Sequence, residues 1–460
     1  MNAKELDDIS HMNIILLSGG SGKRLWPLSN EIRSKQFLKV FKRADDSHES
    51  MAQRNYRMIC DVDQNASITI ATSENQIASI KAQLGDDVDV SIEPCRRDTF
   101  PAIALTTAYL HDMKGISEDE TVIVCPVDAY VEKDFFQMLQ KLDLQASKNE
   151  ANLCLIGVEP TYPSEKYGYI LPTNTDTISF AESFKEKPDA LTAEKYISQG
   201  ALWNAGVFAY KLKYVLDIAR DILGTSSYSQ IIENYSNLPK ISFDYAVVEK
   251  EEKIQVMRFD GKWRDLGTWD ALTEVMSDEV AGNAIAAMCE NTHIINELQV
   301  PLLALGVNNI AIAATADGIL VINKDRSDII KDYVSEQRPM CETREWGEYQ
   351  VLDYNVKDDR ENTLTKRLII KPGHHISYQK HRHRTEMWTI VEGTGLLIID
   401  GVISEVGRGD TACIKPGTKH AIKAVSELHI IEIQLGDELT EEDVERLEWD
   451  WNQEELHKRV

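Results

Sequence analysis

A short apolar run, Asn13-Ile14-Ile15-Leu16-Leu17, breaks at once into Ser18-Gly19-Gly20-Ser21-Gly22-Lys23-Arg24-Leu25-Trp26-Pro27-Leu28. An apolar run of this length that ends in closely spaced glycines predicts a buried strand feeding a tight loop. Glycines at 19, 20 and 22 let backbone amides approach an anion closely, and the C-terminal end of a first parallel strand is where open α/β sheets bind nucleotide phosphates. Ser18, Gly19, Gly20, Ser21, Gly22 and Lys23 are therefore candidate phosphate ligands, and Arg24 adds a fixed positive charge. The spacing matches neither the P-loop nor the G-x-G-x-x-G of dinucleotide folds.

From Asn13 to about Asp278, apolar runs such as Thr121-Val122-Ile123-Val124 and Asn152-Leu153-Cys154-Leu155-Ile156 alternate with helical patterns such as the one over 102–110. This is the α/β pattern of a Rossmann-like domain with a mainly parallel sheet, expected over 12–282. After Gly282 short β segments dominate, predicting a small β-helix-like connecting domain over 283–335. Turn signals at Lys371-Pro372-Gly373, Asp400-Gly401, Gly407-Arg408-Gly409-Asp410 and Lys415-Pro416-Gly417 then punctuate an all-β barrel over 336–437. The segment 438–460 reads as an acidic helical tail, with Thr440 and Asp443 spaced as a capping box. Residues 1–11 precede the first strand and read as an extension outside the fold.

At 460 residues the chain exceeds one ordinary core. Its net charge of -25 argues against nucleic acid as a partner, so any phosphate site must concentrate Lys and Arg locally. No apolar stretch reaches the ~20 residues of a membrane span, and a cytoplasmic protein with no membrane partner is expected. The seven cysteines form no CxxC pair and read as reduced, mostly buried thiols.

The loop with its Arg-Leu-Trp-Pro-Leu flank, followed by Ser34-Lys35-Gln36-Phe37-Leu38, resembles the nucleotide-sugar pyrophosphorylases, and the mannose-1-phosphate guanylyltransferase branch in particular. The resemblance continues through Glu93-Pro94-Cys95-Arg96-Arg97-Asp98-Thr99, Asp128 after the strand at 122–125, Tyr167-Gly168-Tyr169-Ile170, Phe184-Lys185-Glu186-Lys187-Pro188, Trp203-Asn204-Ala205-Gly206 and Trp263-Arg264-Asp265-Leu266-Gly267. It implies Lys35 on the phosphates, Glu93, Arg97 and Asp98 on the nucleotide side, and Asp128 with Asp265 on one Mg²⁺. It further implies Gly168, Glu186 and Asn204 on the sugar hydroxyls and Lys187 on the sugar phosphate. The helix around Ser242-Phe243-Asp244-Tyr245 is expected to support the sugar pocket. The implied substrates are GTP and mannose-1-phosphate, joined by in-line attack on the α-phosphorus, in a homo-oligomer, most simply a dimer. Asp98 stands where the family has Asn, and Ala129 where it has His.

The C-terminal region carries Gln379-Lys380-His381-Arg382-His383-Arg384-Thr385-Glu386-Met387-Trp388 and Lys415-Pro416-Gly417-Thr418-Lys419-His420. Residues two apart on a strand share a face, so Gln379, His381, Glu386 and His420 can converge inside a barrel on Zn²⁺ or another divalent metal. This region resembles the cupin domain of type II mannose-6-phosphate isomerases, which implies interconversion of mannose-6-phosphate and fructose-6-phosphate. Two departures count against turnover: Met387 replaces a His, and Glu448-Trp449-Asp450-Trp451 replaces a Tyr-Gly-Arg ending. Three alternatives to the whole reading stand as well. One is a pyrophosphorylase for another sugar-1-phosphate or base with a non-catalytic cupin; another is a nucleotide-sugar sensor that binds without turnover; the third reverses the roles, with the cupin as the main enzyme.

Overall fold

The computed structural model describes residues 11–20, 22–30, 32–334, 338–355, 362–440 and 443–451. Residues 1–10 of the expected extension, the boundary near 335 and Ser21 lie outside the described residues. The chain divides into two units, Met1–Glu279 with Ile322–Tyr333, and Val280–Val321 with Val334–Val460.

In the first unit the strand Asn13–Leu17 shows why the fold forms. Its side chains alternate between faces, and both faces are apolar: Ile14 and Leu16 enter one core cluster and Ile15 the other. The first cluster takes in Phe135, Leu139 and Leu142 of the helix Lys133–Ser147; the second takes in Phe100, Ile103 and Ala104 of the helix Thr99–Asp112. A sheet covered on both sides by helices follows. Its nine strands run in the order Asp89–Glu93, Ser67–Ser73, Asn13–Leu17, Thr121–Pro126, Leu202–Lys211, Leu153–Val158, Ile254–Phe259, Ile178–Lys185, Tyr169–Pro172. The first four are parallel to one another, as are Leu153–Val158 and Ile254–Phe259. Leu202–Lys211 enters antiparallel between Thr121–Pro126 and Leu153–Val158, and the last two strands are also antiparallel to their neighbours. The sheet is therefore mixed, and burial on both faces gives its strands apolar sequences whichever way they run.

In the second unit, Ala284–Ala287 pairs in parallel with Leu302–Leu305, and His293–Asn296 with Ile310–Thr315. Successive coils are offset by 18 residues, an offset also kept by the Asn291 to Asn309 side-chain hydrogen bond. This is a short parallel β-helix. The segment Ile322–Tyr333, expected with the connecting strands, groups instead with the first unit.

The barrel closes from two antiparallel sheets. One has six strands, including Asn362–Ile370, Arg384–Glu392 and Leu428–Gly436; the other has five, including Gln379–Lys380 and His420–Ala424. The expected helical tail is corrected where it is described. Glu445–Arg446 is a strand paired with Gln379–Lys380, Trp449 packs on Tyr378 and Trp451 on His375. Asp443 is no partner in a capping box: its carboxylate accepts the backbone N–H groups of Arg382 and His383 at 2.9 and 3.1 Å. Large aromatic side chains with a barrel wall to cover outweigh the helical periodicity of the acidic residues between them. All seven cysteines are free, but only Cys125 and Cys154 are buried and Cys413 is exposed. Among the described residues no helix is long and apolar enough to cross a membrane.

Candidate functional site

Strand register decides where the glycine loop emerges. Leu17 lies between Ala71 and Pro126 on the neighbouring strands, and Val127 donates its N–H to the Leu17 carbonyl at 3.1 Å. The loop and Asp128 therefore leave the sheet side by side, at the C-terminal edge of the parallel strands. A short antiparallel ribbon then brings in a distant segment: Ala129–Val131 pairs with Trp263–Asp265, with Asp265 opposite Ala129. This pairing sets Asp265 next to Asp128.

Lys35 completes the cluster. It opens the short helical turn Lys35–Phe37, and its Nζ lies 2.9 Å from Asp128 Oδ2 and 3.4 Å from Asp265 Oδ1. Burial alone would lower the Lys35 pKa, but the charges of Asp128 and then Asp265 outweigh it and hold the ammonium above its ordinary value. Two carboxylates this close repel unless a cation lies between them, and in this arrangement the ammonium is that cation. Both carboxylates remain about one-third exposed, 34% and 35%, so they are open to a ligand. Arg24 points to the same place: a Cβ on Gly267 would be 3.4 Å from both Asp265 carboxylate oxygens and 3.5 Å from Arg24 Nη1.

The loop glycines divide by role. Gly20 and Gly22 have φ of 95° and 63°, and a Cβ on Gly22 would lie 2.9 Å from Lys35 Cβ, so this glycine lets Lys35 pack against the loop. Gly19 has open space where a Cβ would be. Ser18 is placed differently from the expectation of a direct phosphate ligand. Its N–H donates to Ala71 O, and its hydroxyl lies in a buried network with Gln36 and Gln76, so it braces the loop from behind. The side chain of Lys23 lies outside the described residues.

On the expected nucleotide side, Glu93 ends the strand paired with Ser67–Ser73 and accepts the Tyr235 hydroxyl at 2.9 Å, while burial raises its pKa. Asp98 has φ of 69° and caps the helix Thr99–Asp112, accepting the Thr99 N–H at 2.8 Å. Asn and Asp both tolerate positive φ, so the exchange at this position preserves the backbone role. Arg97 Nε is buried with no hydrogen-bond partner among the described residues.

A cavity of about 220 Å³ adjoins the Asp128 and Asp265 carboxylates, and Gly168, Glu186, Asn204 and Asp244 line it. A Cβ on Gly168 would stand 2.6 Å from Glu186 Oε2, so only glycine lets that carboxylate approach the backbone. Glu186 Oε1 pairs with Lys187 Nζ at 2.5 Å, while its Oε2 is buried without a hydrogen-bond partner among the described residues. Burial would lower the Lys187 pKa, but Glu186 outweighs it and raises it. Asn204 Nδ2 donates to Asp244 Oδ1 at 2.8 Å. The sequence reading missed Asp244 as a cavity residue and assigned its helix only a supporting role. Its helix-start position after the Ser242 cap gave no sign that the carboxylate would turn inward. Tyr167, Trp203 and Trp263 brace the wall with ring centroids 5.0 to 5.2 Å apart around Tyr167.

In the barrel, His381, Glu386 and His420 offer ligand atoms within 4.8 Å of one another, and all three residues are buried. Gln379 pairs with His420 across the sheet, and its Nε2 lies 3.5 Å from His381 Nε2, so the four expected residues converge. His381 Nδ1 faces the Asp443 carbonyl at 2.9 Å and His420 Nδ1 the Thr418 carbonyl at 3.0 Å, which turns both Nε2 atoms inward, 3.1 and 3.4 Å from the Glu386 carboxylate. Burial pushes the Glu386 pKa up, but the two imidazoles and Arg384 outweigh it and keep it a carboxylate. Two imidazoles, a carboxylate and an amide suit a divalent transition metal. Met387 is 43% exposed and points away from this cluster, since Glu386 and Trp388 on either side point in. The exchange of His for Met therefore takes nothing from the barrel interior.

The Nucleotidyl transferase family profile matches residues 13–281, and the Mannose-6-phosphate isomerase C-terminal profile matches residues 334–449. The chain is 31% identical over 476 residues to a mannose-1-phosphate guanylyltransferase of Klebsiella pneumoniae, covering 94% of this chain and 98% of the relative. It is 29% identical to the Xanthan biosynthesis protein XanB of Xanthomonas campestris pv. campestris (strain B100), over 94% of this chain and 97% of that one. Among solved structures, one described as a mannose-1-phosphate geranyltransferase from Thermus thermophilus superposes with a TM-score of 0.61 at 28% identity, covering 70% of this chain and 98% of the other. The chain is a nucleotidyltransferase and belongs to the family of the mannose-1-phosphate guanylyltransferases, with a mannose-6-phosphate isomerase C-terminal domain.

Proposed function

We propose that the first unit transfers GMP from GTP to mannose-1-phosphate, releasing pyrophosphate and forming GDP-mannose. The observation that carries this reading is the convergence of Lys35, Asp128 and Asp265 at the mouth of a cavity lined by Glu186, Asn204 and Gly168. A phosphate-handling cluster stands next to a pocket whose polar groups suit sugar hydroxyls. The guanylyltransferase relatives support the choice of base and sugar.

In this reading a phosphate oxygen of the sugar attacks the α-phosphorus in line, and the bond from the α-phosphorus to the oxygen bridging the α- and β-phosphates breaks as pyrophosphate leaves. Asp128 and Asp265 would hold a Mg²⁺ that neutralises phosphate charge. Lys35, released from the two carboxylates, and Arg24 add fixed positive charge where negative charge builds, and the amides of Gly19, Gly20 and Gly22 receive phosphate oxygens. Ser21 and Lys23 belong to the same loop and carry the same expectation. Glu93, Arg97 and Asp98 face the nucleoside; Glu186 and Asn204 orient the sugar, and Lys187 meets its phosphate. No covalent enzyme intermediate is needed, so catalysis is positioning and charge neutralisation.

The enzyme acts in the cytoplasm as a homodimer in this reading, and its product supplies polysaccharide synthesis, as the name of the xanthan relative suggests. The test is a pyrophosphate-release panel crossing nucleoside triphosphates with sugar-1-phosphates. GTP with mannose-1-phosphate should dominate; preference for another pair would overturn the specificity.

A second reading concerns the barrel, where the buried and intact His381, Glu386 and His420 favour a bound metal. Gln379, His381, Glu386 and His420 would hold Zn²⁺ or a similar divalent ion, which would polarise a sugar carbonyl and favour isomerisation of mannose-6-phosphate and fructose-6-phosphate. A coupled isomerase assay on wild type and Glu386→Gln tests it: activity lost in the variant supports it, and an inactive metal-loaded wild type refutes it.

A further inference from the structure

The wall of the sugar cavity contains an acidic pair that the proposed roles do not use up. Glu186 lines the cavity and is 6% exposed, and its Oε2 is buried with no hydrogen-bond partner among the described residues. Asp244 lines the same cavity from the start of the helix Phe243–Ala246. One Asp244 oxygen is engaged by Asn204 Nδ2 at 2.8 Å, and Asn204 is itself pinned because its Oδ1 accepts the Gly206 N–H at 3.0 Å. Asp244 is therefore held in one orientation by a residue that is also held.

Two carboxylates in one wall are unfavourable unless donors reach them. A carboxylate oxygen that carries no proton only accepts, so what these oxygens lack is hydrogen-bond donors. Lys187 supplies one cation, but it is spent on Glu186 Oε1 in this arrangement, and phosphate on the sugar would draw it away. Glu186 and Asp244 both line a cavity of about 220 Å³ that adjoins the phosphate-handling cluster, and Glu186 Oε2 still lacks a donor among the described residues. A ligand that fills that space with hydroxyl groups satisfies both.

We propose that Asp244 is a specificity-determining residue that, paired with Glu186, accepts hydrogen bonds from two hydroxyls of the sugar. The proposal rests on the sugar-1-phosphate reading of this cavity and adds a residue to it. The chemical class selected is a pyranose phosphate whose hydroxyls can donate to both carboxylates together. A sugar lacking either hydroxyl leaves a buried carboxyl oxygen unpaired, which is a larger penalty than losing an ordinary contact.

The test uses the full-length enzyme with mannose-1-phosphate and its 2-, 3-, 4- and 6-deoxy analogues, assayed by pyrophosphate release on wild type, Asp244→Ala and Asp244→Asn. The Asn variant keeps the acceptor that Asn204 uses and guards against a folding defect in the Ala variant. The expected result is a KM for mannose-1-phosphate raised about 10- to 100-fold in Asp244→Ala, the loss of one charged hydrogen bond. KM for GTP should stay within twofold of wild type in both variants. One deoxy analogue, strongly rejected by wild type, should be treated like mannose-1-phosphate by Asp244→Ala. Unchanged sugar KM in both variants, or deoxy discrimination identical to wild type, overturns the role of Asp244 while leaving the parent reading intact. A wild-type enzyme that releases no pyrophosphate with mannose-1-phosphate overturns the parent reading, and this inference with it.

Discussion

Replacing Gly168 with Ala tests whether the cavity is built to sub-ångström tolerance. A Cβ at that position would lie 2.6 Å from Glu186 Oε2 and 2.8 Å from Phe184 Cζ, where ordinary contact begins near 3.4 Å. The Glu186 carboxylate must retreat by roughly 0.8 Å, and its pairing with Lys187 at 2.5 Å carries the displacement to that ammonium as well. A misplacement of about 1 Å at a positioning group costs on the order of 10²-fold in rate, so kcat/KM for mannose-1-phosphate should fall by about that factor. Overpacking of this kind also costs about 1–3 kcal/mol of stability, a few degrees of thermal midpoint. The assay is initial-rate pyrophosphate release with each substrate varied in turn; KM for GTP should not move. A double variant, Gly168→Ala with Glu186→Ala, should lose no more than Glu186→Ala alone if the clash with Glu186 is the cause. Wild-type sugar kinetics in Gly168→Ala, or full additivity in the double variant, would refute this reasoning.

Three further outcomes are expected. Gly19→Ala has room in the fold, so its thermal midpoint should match wild type while KM for GTP rises about 10-fold as the loop loses close phosphate approach; unchanged GTP kinetics would place the phosphates elsewhere. Burial, and then the charge of Glu186, raise the Asp244 pKa from 3.8 to about 7. The folded state thus holds this proton more tightly than the unfolded chain, and the group's contribution to stability is greatest below pH 3.8 and is lost as pH climbs through 7. Asp244→Asn should therefore stabilise the protein at pH 8 by on the order of 1–3 kcal/mol relative to wild type and by less at pH 5.5, measured by denaturation at both values; an equal or reversed difference would contradict the assignment. His420→Ala should abolish the metal binding proposed for the barrel, read by elemental analysis after metal loading, whereas Met387→His should leave metal content at the wild-type level because that side chain faces outward; loss of metal in the second variant would show the strand parity to be misread.

Local signals carried most of the first unit. A strand, a glycine loop and a strand-end aspartate are each short, and the pleat and parallel register bring their ends together at one sheet edge. The pairing of Asp128 with Asp265 came only through the resemblance, because the ribbon Ala129–Val131 with Trp263–Asp265 joins segments far apart in sequence. Asp244 escaped notice because an inward carboxylate at a helix start looks like any capping-region acid, and only the cavity shows which way it turns. The antiparallel entry of Leu202–Lys211 was equally hidden, since the side-chain pattern of a strand reports its burial and not its direction. The orientation of Met387 was within reach: once Glu386 points into the barrel, the period of two sends its neighbour out. The described part of the tail, 443–451, was misread because acidic spacing suggested a helix, while Leu447, Trp449 and Trp451 carry the apolar surface that ties it to the barrel.

The central claim is that Asp265, with Asp128 and Lys35, forms the transfer site. Single-turnover pyrophosphate release from GTP and mannose-1-phosphate with Mg²⁺, comparing wild type with Asp265→Asn at matched thermal midpoints, measures this most directly. A loss of about 10³-fold or more is predicted, the scale of removing a principal electrostatic group from a phosphoryl-transfer site. A folded Asp265→Asn enzyme that turns over at the wild-type rate would contradict the account.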